Sequence, residues 1–504
     1  KFGLLSGSYM HNRQGGVLRK QMGTFTDEVD SATGRFTWKT SSFKGIISTL
    51  DGIKINSFER SYSHDYACNN SGWYGPVADG VCRIWGNPIG EMMFETLRYF
   101  AGATAPEPEY TYTNAGSDDA TLNMPEVTTW KDPYKTVAQG GLGNLACAKP
   151  FETVISDINP EYDSNLPGGA WGGAPTGALP TKIGGINVGS LGDTMWADEG
   201  GGTQSVYIGQ VGATTDGAPT HKQVSSFGNI RGLSPEEPTK EGSYYSAAVA
   251  FFGNTNDISD ISSDQKMQTF AVAVASPLPH ITFPIGSGTM TLVPFAKSVG
   301  GNSIDPNGAF QSTDQIVDFY VEKIVNIAGA PTDTTINGGR AYAKFRINYE
   351  DIEQGNDHDM DAIVSYEVLA NANGTVTVNL NSEYAAGSIV QHMGYVVSGT
   401  TADGIYLEVR DVDTGAGADT RYRLDTPDGF GPGGCSIAGS NNANTSCPTG
   451  PSLPLSHSRV FTAGTNAPGV LLKDPLWYAA KYGGFKDANG DGKPDPGEWD
   501  TKVA

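Results

Sequence analysis

Residues 487–498 read DANGDGKPDPGE, with an oxygen donor at nearly every second position. Asp487, Asn489 and Asp491 stand at positions 1, 3 and 5 of a twelve-residue frame, Gly492 at 6, Lys493 at 7, Asp495 at 9 and Glu498 at 12. In that frame a short loop wraps one calcium ion. Side-chain oxygens alternate, residue 7 offers its backbone carbonyl, and a glycine at 6 permits the sharp turn. Unliganded, four carboxylates this close repel one another, and the alternative reading is a solvated acidic turn. Few residues follow the loop, which favours a structural ion over a paired sensor, and Ca2+ is the expected cofactor.

A second run, YEDIEQGNDHDMDA, sets Asp357, Asp359 and Asp361 in alternation behind Glu350, Asp351 and Glu353. It joins two strand-like stretches, so the expectation is a calcium clip at the strand ends. His358 lies within it, but one imidazole among hard carboxylates is a poor zinc set. Asp157, in VISDINPEYDSN, ends a buried strand; it reads either as a loop cap or as part of a metal or ligand site above an α/β sheet. No HExxH, GxSxG, phosphate-binding or dinucleotide-binding motif occurs in a suitable context, and the seven histidines are scattered, so the chain is not expected to be an enzyme.

Cys68 and Cys82 bracket one polar, Gly- and Asn-rich loop, and Cys435 and Cys447 another. Both read as local disulfides formed in an oxidising compartment, the alternative being four unpaired cytosolic thiols. Cys147 is left over.

The elements that must position these groups follow from length and patterning. A chain of 504 residues implies two to four domains, and 22 Tyr, 20 Phe and 8 Trp mark it as folded. A net charge of −22 argues against nucleic acid and anionic membrane as partners and favours cations. No apolar run reaches the length of a membrane span. The opening KFGLLSGSYM, without an initiator Met or signal peptide, reads as a mature or trimmed segment of a longer precursor. Amphipathic helices are expected at 41–55 and 87–102, the second with Ile89, Met93, Leu97 and Phe100 inward. Strands at 150–160 and 267–276 and a short helix at 244–253 imply an α/β layer with a largely parallel sheet. Residues 286–430 turn to period-two alternation and read as a β-sandwich, with hairpin signals at Asn373-Gly374 and Asp403-Gly404. A loop over 431–470 carries the second cysteine pair, and 471–504 holds a helix (471–485) and the calcium loop.

Five segments, GSYMHNRQGGVLRKQMGTF, NPIGEMMFETLRYFAG, AKPFETVISDINPEYDSNLPG, YEDIEQGNDHDMDAIV and LLKDPLWYAAKYGGFKDANGDGKPDPGEWD, taken in order over nearly the whole chain, resemble the PilC/PilY-type proteins of bacterial type IV pili. The resemblance implies an α+β multidomain chain. Residues 1–285 would be a von Willebrand A-like α/β domain with insertions at about 103–149 and 163–242, lacking the family's C-terminal propeller. It implies a secreted protein at the pilus tip or outer cell surface. There it would assist biogenesis, contact major or minor pilins, and attach to host-cell or abiotic surfaces. Asp157 matches that fold's later metal-site aspartate, but the DxSxS segment is missing, and DISDISSD (257–264) is out of register. Two further readings are a self-assembling, calcium-dependent surface-layer or filament protein and a secreted hydrolase with calcium-stabilised modules.

Overall fold

The computed structural model describes the chain except residues 38–44, 54–78, 81–85, 114–116, 123, 174, 213–219, 234–240, 275–280, 301–313, 352–359, 388, 423, 433–451 and 500–504. An antiparallel ribbon, β1 (Phe2–Ser6) and β2 (Val17–Gly23), opens the fold. Next comes α1 (Ile46–Gly52), whose first amides, Ile46 and Ile47, donate to the Glu28 carboxylate at 2.9 and 2.8 Å. Helix α2 (Ile89–Phe100) buries the expected stripe of Ile89, Met93, Leu97 and Phe100. A single turn, α3 (Asp118–Thr121), precedes β3 (Phe151–Asp157). Then follow α4 (Val188–Asp198) and four short strands: β4 (Gln204–Tyr207), β5 (Gln210–Val211), β6 (His221–Val224) and β7 (Ile230–Arg231). Helix α5 (Tyr245–Thr255) has almost no exposed face and is the axis of the first core; β8 (Gln268–Val274) lies beside it.

The expected parallel sheet is reduced to one pair. β3 and β8 run parallel in register Phe151↔Gln268 to Asp157↔Val274, and no third strand joins them among the described residues. The other strands of this half pair antiparallel, β4 with β6 and β5 with β7. The larger parallel sheet of a von Willebrand A-like domain is therefore not present among the described residues. The alternation of helix and apolar strand arises instead from α2 and α5 packing on one face of a two-stranded ribbon. The Gly- and Pro-rich stretch 163–242, expected to be an insertion, supplies core residues of its own: Val188, Met195, Trp196, Val206 and Phe227.

The second half is a sandwich of two antiparallel sheets. Its strands are β9 (Ile281–Ile285), β10 (Gly288–Gly300), β11 (Asp314–Val325), β12 (Tyr342–Asp351), β13 (Ala362–Ala370), β14 (Val376–Ala385), β15 (Val390–Ser398), β16 (Gly404–Arg410) and β17 (Ser456–Phe461). One sheet has the order β16-β15-β10-β9, the other β11-β12-β13-β14-β17. β12 and β14 alternate buried and half-exposed positions, as a strand with one face on a core must. β10 and β15 are buried on both faces: the inner core meets one side, while Tyr207, Tyr422, Leu424 and Leu453 cover the other. The β13–β14 turn uses Gly374 at φ 82°, a left-handed backbone that Gly adopts without strain.

Two boundaries move. The sandwich starts at Ile281 and takes its last strand from 456–461, within the stretch expected to be loop. The terminal helix, α6 (Pro475–Gly484), is not a separate unit, because Leu476, Tyr478, Ala479, Tyr482 and Phe485 join the first core against α5 and β8. The sandwich is thus inserted into the first domain between β8 and α6. Tyr207 stitches the two, its hydroxyl donating to Thr291 O (3.2 Å) and pairing with the Ser398 hydroxyl at 2.8 Å.

Candidate metal centre

The loop that follows α6 is held at both ends. Asn254, on the last turn of α5, donates to the carbonyls of Tyr482 (3.2 Å) and Phe485 (3.0 Å), satisfying groups the helix end leaves open. Past the loop, Trp499 returns to α6 with its ring 5.6 Å from that of Trp477, and Lys481 lies over both rings. The loop closes where Lys486 N–H donates to Glu498 O at 2.9 Å.

Inside it, the side chains wrap inward as their spacing demands. Asp487 accepts N–H groups from Gly490 (2.7 Å), Asp491 (3.1 Å) and Gly492 (3.0 Å). Gly490 and Gly492 take φ of 81° and 80° to make that winding possible. Asp491 accepts from Lys493 N–H, and Glu498 spans the loop, accepting from Ala488 N–H (2.9 Å) and Asp495 N–H (3.2 Å). Asn489 Nδ2 donates to both Asp491 Oδ2 (3.2 Å) and Asp495 Oδ2 (2.5 Å). An amide hydrogen pair between two carboxylates supplies the partial positive charge a cation would bring, and rotating that amide would present Oδ1 instead. As placed, the loop's acids face loop amides, and no three His, Cys, Asp or Glu side chains converge on a common point among the described residues. The donor set, all hard oxygen on a closed twelve-residue frame, fits calcium. The acidic end of α4 adjoins the loop. Burial raises the Asp198 pKa against the pull of Lys493, with Glu199 and Asp491 adding to the rise.

The second acidic run is only partly described. Glu353, Asp357 and Asp359, with His358, lie outside the described residues. Asp351 and Asp361 are both buried, and Asp351 N–H donates to Asp361 Oδ2 at 2.6 Å. Around them the fold gathers further acids, of which Asp314 and Asp411 were not singled out by sequence spacing. Asp314 opens β11 opposite Asp351, and Glu350 accepts from Met360 N–H at 3.3 Å. Asp314 accepts from Ser298 Oγ (2.9 Å) and Gln391 Nε2 (3.1 Å), and Asp411 from Gln391 N–H (2.7 Å). One end of the sandwich therefore carries five buried carboxyl groups, Asp314, Glu350, Asp351, Asp361 and Asp411.

Asp157 does what a loop-capping aspartate does. Its Oδ1 accepts from Asn87 Nδ2 (2.8 Å) and Asn159 N–H (3.1 Å) at the exposed end of β3. Cys68, Cys82, Cys435 and Cys447 lie outside the described residues, and Cys147 is an exposed free thiol.

Two polar networks escaped sequence reasoning, because their members are far apart in the chain. His392, on β15, is wholly buried with Nδ1 2.7 Å from Asp425 and Nε2 2.7 Å from Asp419. Glu408, on β16, accepts from Tyr395 Oη (2.9 Å) and Arg459 Nε and lies 3.2 Å from His457 Nδ1, tying the two sheets together. Both read as structural, since His392 and Glu408 at their centres are fully buried.

A family model described as PilY1 homolog, second domain, matches residues 2–253, and one described as PilY1 homolog, beta-sandwich, matches 283–449. The chain is 47% identical over 502 residues to a protein of Xylella fastidiosa named type IV pilus biogenesis factor PilY1 homolog. That match covers 96% of this chain and 33% of the relative, so the chain spans about a third of the relative's length. No solved structure matches.

Proposed function

The chain belongs to the PilY1 homolog family, and on that premise we propose that it is the calcium-held scaffold of a type IV pilus biogenesis factor. It works outside the cell, at the pilus tip or outer surface, docking on major or minor pilins and carrying attachment to host-cell or abiotic surfaces. The name of the relative supports the pilus role. No helix among the described residues is long and apolar enough to cross a membrane.

One observation carries the calcium reading: the Asp487–Glu498 frame is closed end to end and clamped between α6 and Trp499. An ion there would take side-chain oxygens from Asp487, Asn489, Asp491, Asp495 and Glu498 and the carbonyl of Lys493. A second would draw on Asp351 and Asp361 with the loop between them, including Glu353, Asp357 and Asp359. The role is mechanical. A bound cation relieves like-charge repulsion and stiffens the loop it closes, which suits a part under load.

The test uses protein stripped with chelator and pili labelled on this protein. Calcium at about a hundred times its Kd should add about 2.7 kcal/mol and raise Tm by several degrees. Asp487→Ala with Glu498→Ala should abolish most of that gain and thin the label at pilus tips. A flat calorimetric trace sinks the calcium reading, and label confined to the cell interior sinks the pilus one.

A further inference from the structure

Among the described residues, the two-stranded ribbon β3–β8 is covered on one side only. Glu152, Val154 and Thr269 point into the first core, where α2, α5 and α6 pack. The opposite face carries Phe151, Ile155, Phe270, Val272 and Val274, which are 56, 74, 51, 53 and 69% exposed. These side chains are adjacent: the register sets Thr153 beside Phe270 and Ile155 beside Val272, and the rings of Phe151 and Phe270 lie 6.0 Å apart. Parallel sheets are found with both faces covered, and a ribbon of two strands is marginal alone. Along β3, which pairs with β8 alone among the described residues, runs a cleft of about 410 Å3, walled by Leu4, Met22, Met92, Thr96, Phe151 and Ile155. The ribbon thus offers an unpaired edge, an apolar face and a slot beside them.

We propose that this face is completed by polypeptide of the same protein lying outside residues 1–504, adding strand to the β3 edge and an apolar layer over Ile155 and Val272. Three observations select that occupant over a second copy or a separate partner. Parallel strands join through crossovers within one chain, which favours a further neighbour from that chain. The Xylella relative holds twice as much sequence outside the matched third as within it, so such polypeptide exists in the family. The face is also too small to hold a free partner. Two seven-residue strands present about 23 by 10 Å, or about 230 Å2, against about 800 Å2 per partner in a stable interface. A tethered segment needs far less area, because its effective concentration is already in the millimolar range.

The experiment places a photoreactive phenylalanine analogue at Ile155 or Val272 in the full-length protein, with Tyr320 on the outer face of the sandwich as control. Irradiation should join positions 155 and 272 to peptides of the same molecule outside 1–504 and leave the control unjoined. Hydrogen exchange on the unmodified protein gives a readout that needs no substitution. Peptides over 151–157 and 268–274 should exchange at least about tenfold more slowly in the full-length protein than in the 504-residue chain. Equal exchange, no cross-link, or cross-links to a second copy or another protein each overturn the proposal.

Discussion

Among single residues, His392 makes the sharpest energetic statement. Burial alone would drive its imidazole towards the neutral form. The charge of Asp425 and the hydrogen bonds to Asp419 and Asp425 outweigh that, and the pKa rises to about 10. Asp425 also accepts Tyr422 N–H and Asp419 accepts Leu453 N–H, so one imidazolium pins two irregular segments to the back of β15. The sign follows from a folded pKa above the ordinary 6.5. The stabilisation is complete below about pH 6.5 and drains away as pH climbs through 10. Removing the cation strands two buried carboxylates, so His392→Gln should cost about 3–5 kcal/mol at pH 6 and far less near pH 10. Urea unfolding of both proteins at the two pH values measures this, and equal losses would refute the ion-pair account.

Elements show which patterns were legible and which were not. Strands β12 and β14 were readable because each has one dry face, so burial repeats every two residues, while helix α2 is buried nearly all round and was readable from the helical spacing of Ile89, Met93, Leu97 and Phe100. β9 lies ahead of the expected start at 286, and β10 falls inside the expected sandwich without alternating: ITFPI and GTMTLVPFAKSVG carry prolines, and β10 is dry on both sides. β17 reads SHSRVF, polar enough for a loop, and is a strand because β14 offers it a ladder. The closed twelve-residue loop was visible in the sequence because its oxygen donors lie close together, whereas Asp314 is set beside Asp351 only by the β11–β12 register. Tertiary contact also overrides propensity in α6. Ala is a better helix former than Gly, yet a Cβ on Gly483 would stand 2.7 Å from Thr269 Cβ and 2.9 Å from Ala250 Cβ. Gly483→Ala should therefore lose about 1–3 kcal/mol in thermal unfolding and free the C-terminal loop to proteolysis. A stabilised variant would mean that α6 does not dock where it is placed.

The whole molecule couples its acidity to its stability through the first core. Burial raises Glu91 to about 8 against the amides of Asn165 and Gly15, with Asp163 adding to the rise. Glu152 goes to about 8 against Thr96 and Thr269, and Asp163 to about 7 against Ser243. These groups sit above their unfolded values, so the folded chain holds protons that the unfolded chain releases. Stability is greatest below about pH 4.5 for these sites and falls as pH rises through 7 to 8. The His392 clamp weakens in the same direction, and a net charge of −22 adds self-repulsion as the remaining acids ionise. Glu28 acts in the opposite sense. Burial works against its ionisation, but Lys20 and the amides of Ile47 and Ile46 hold its pKa low, so its contribution is full above about pH 4.5 and is lost as pH falls below that. Melting temperature should therefore peak in mild acid and decline towards pH 9. Glu152 isolates the cause, because Gln keeps the shape of the protonated carboxyl and cannot ionise. Glu152→Gln should be near neutral at pH 5 and stabilise by a few kcal/mol at pH 8, in proportion to the proton otherwise lost. Calorimetric scans of both proteins across that range decide it. If the two melting curves stay parallel, the alkaline decline belongs to surface repulsion, which added salt would then suppress within a Debye length of about 10 Å at 0.1 M.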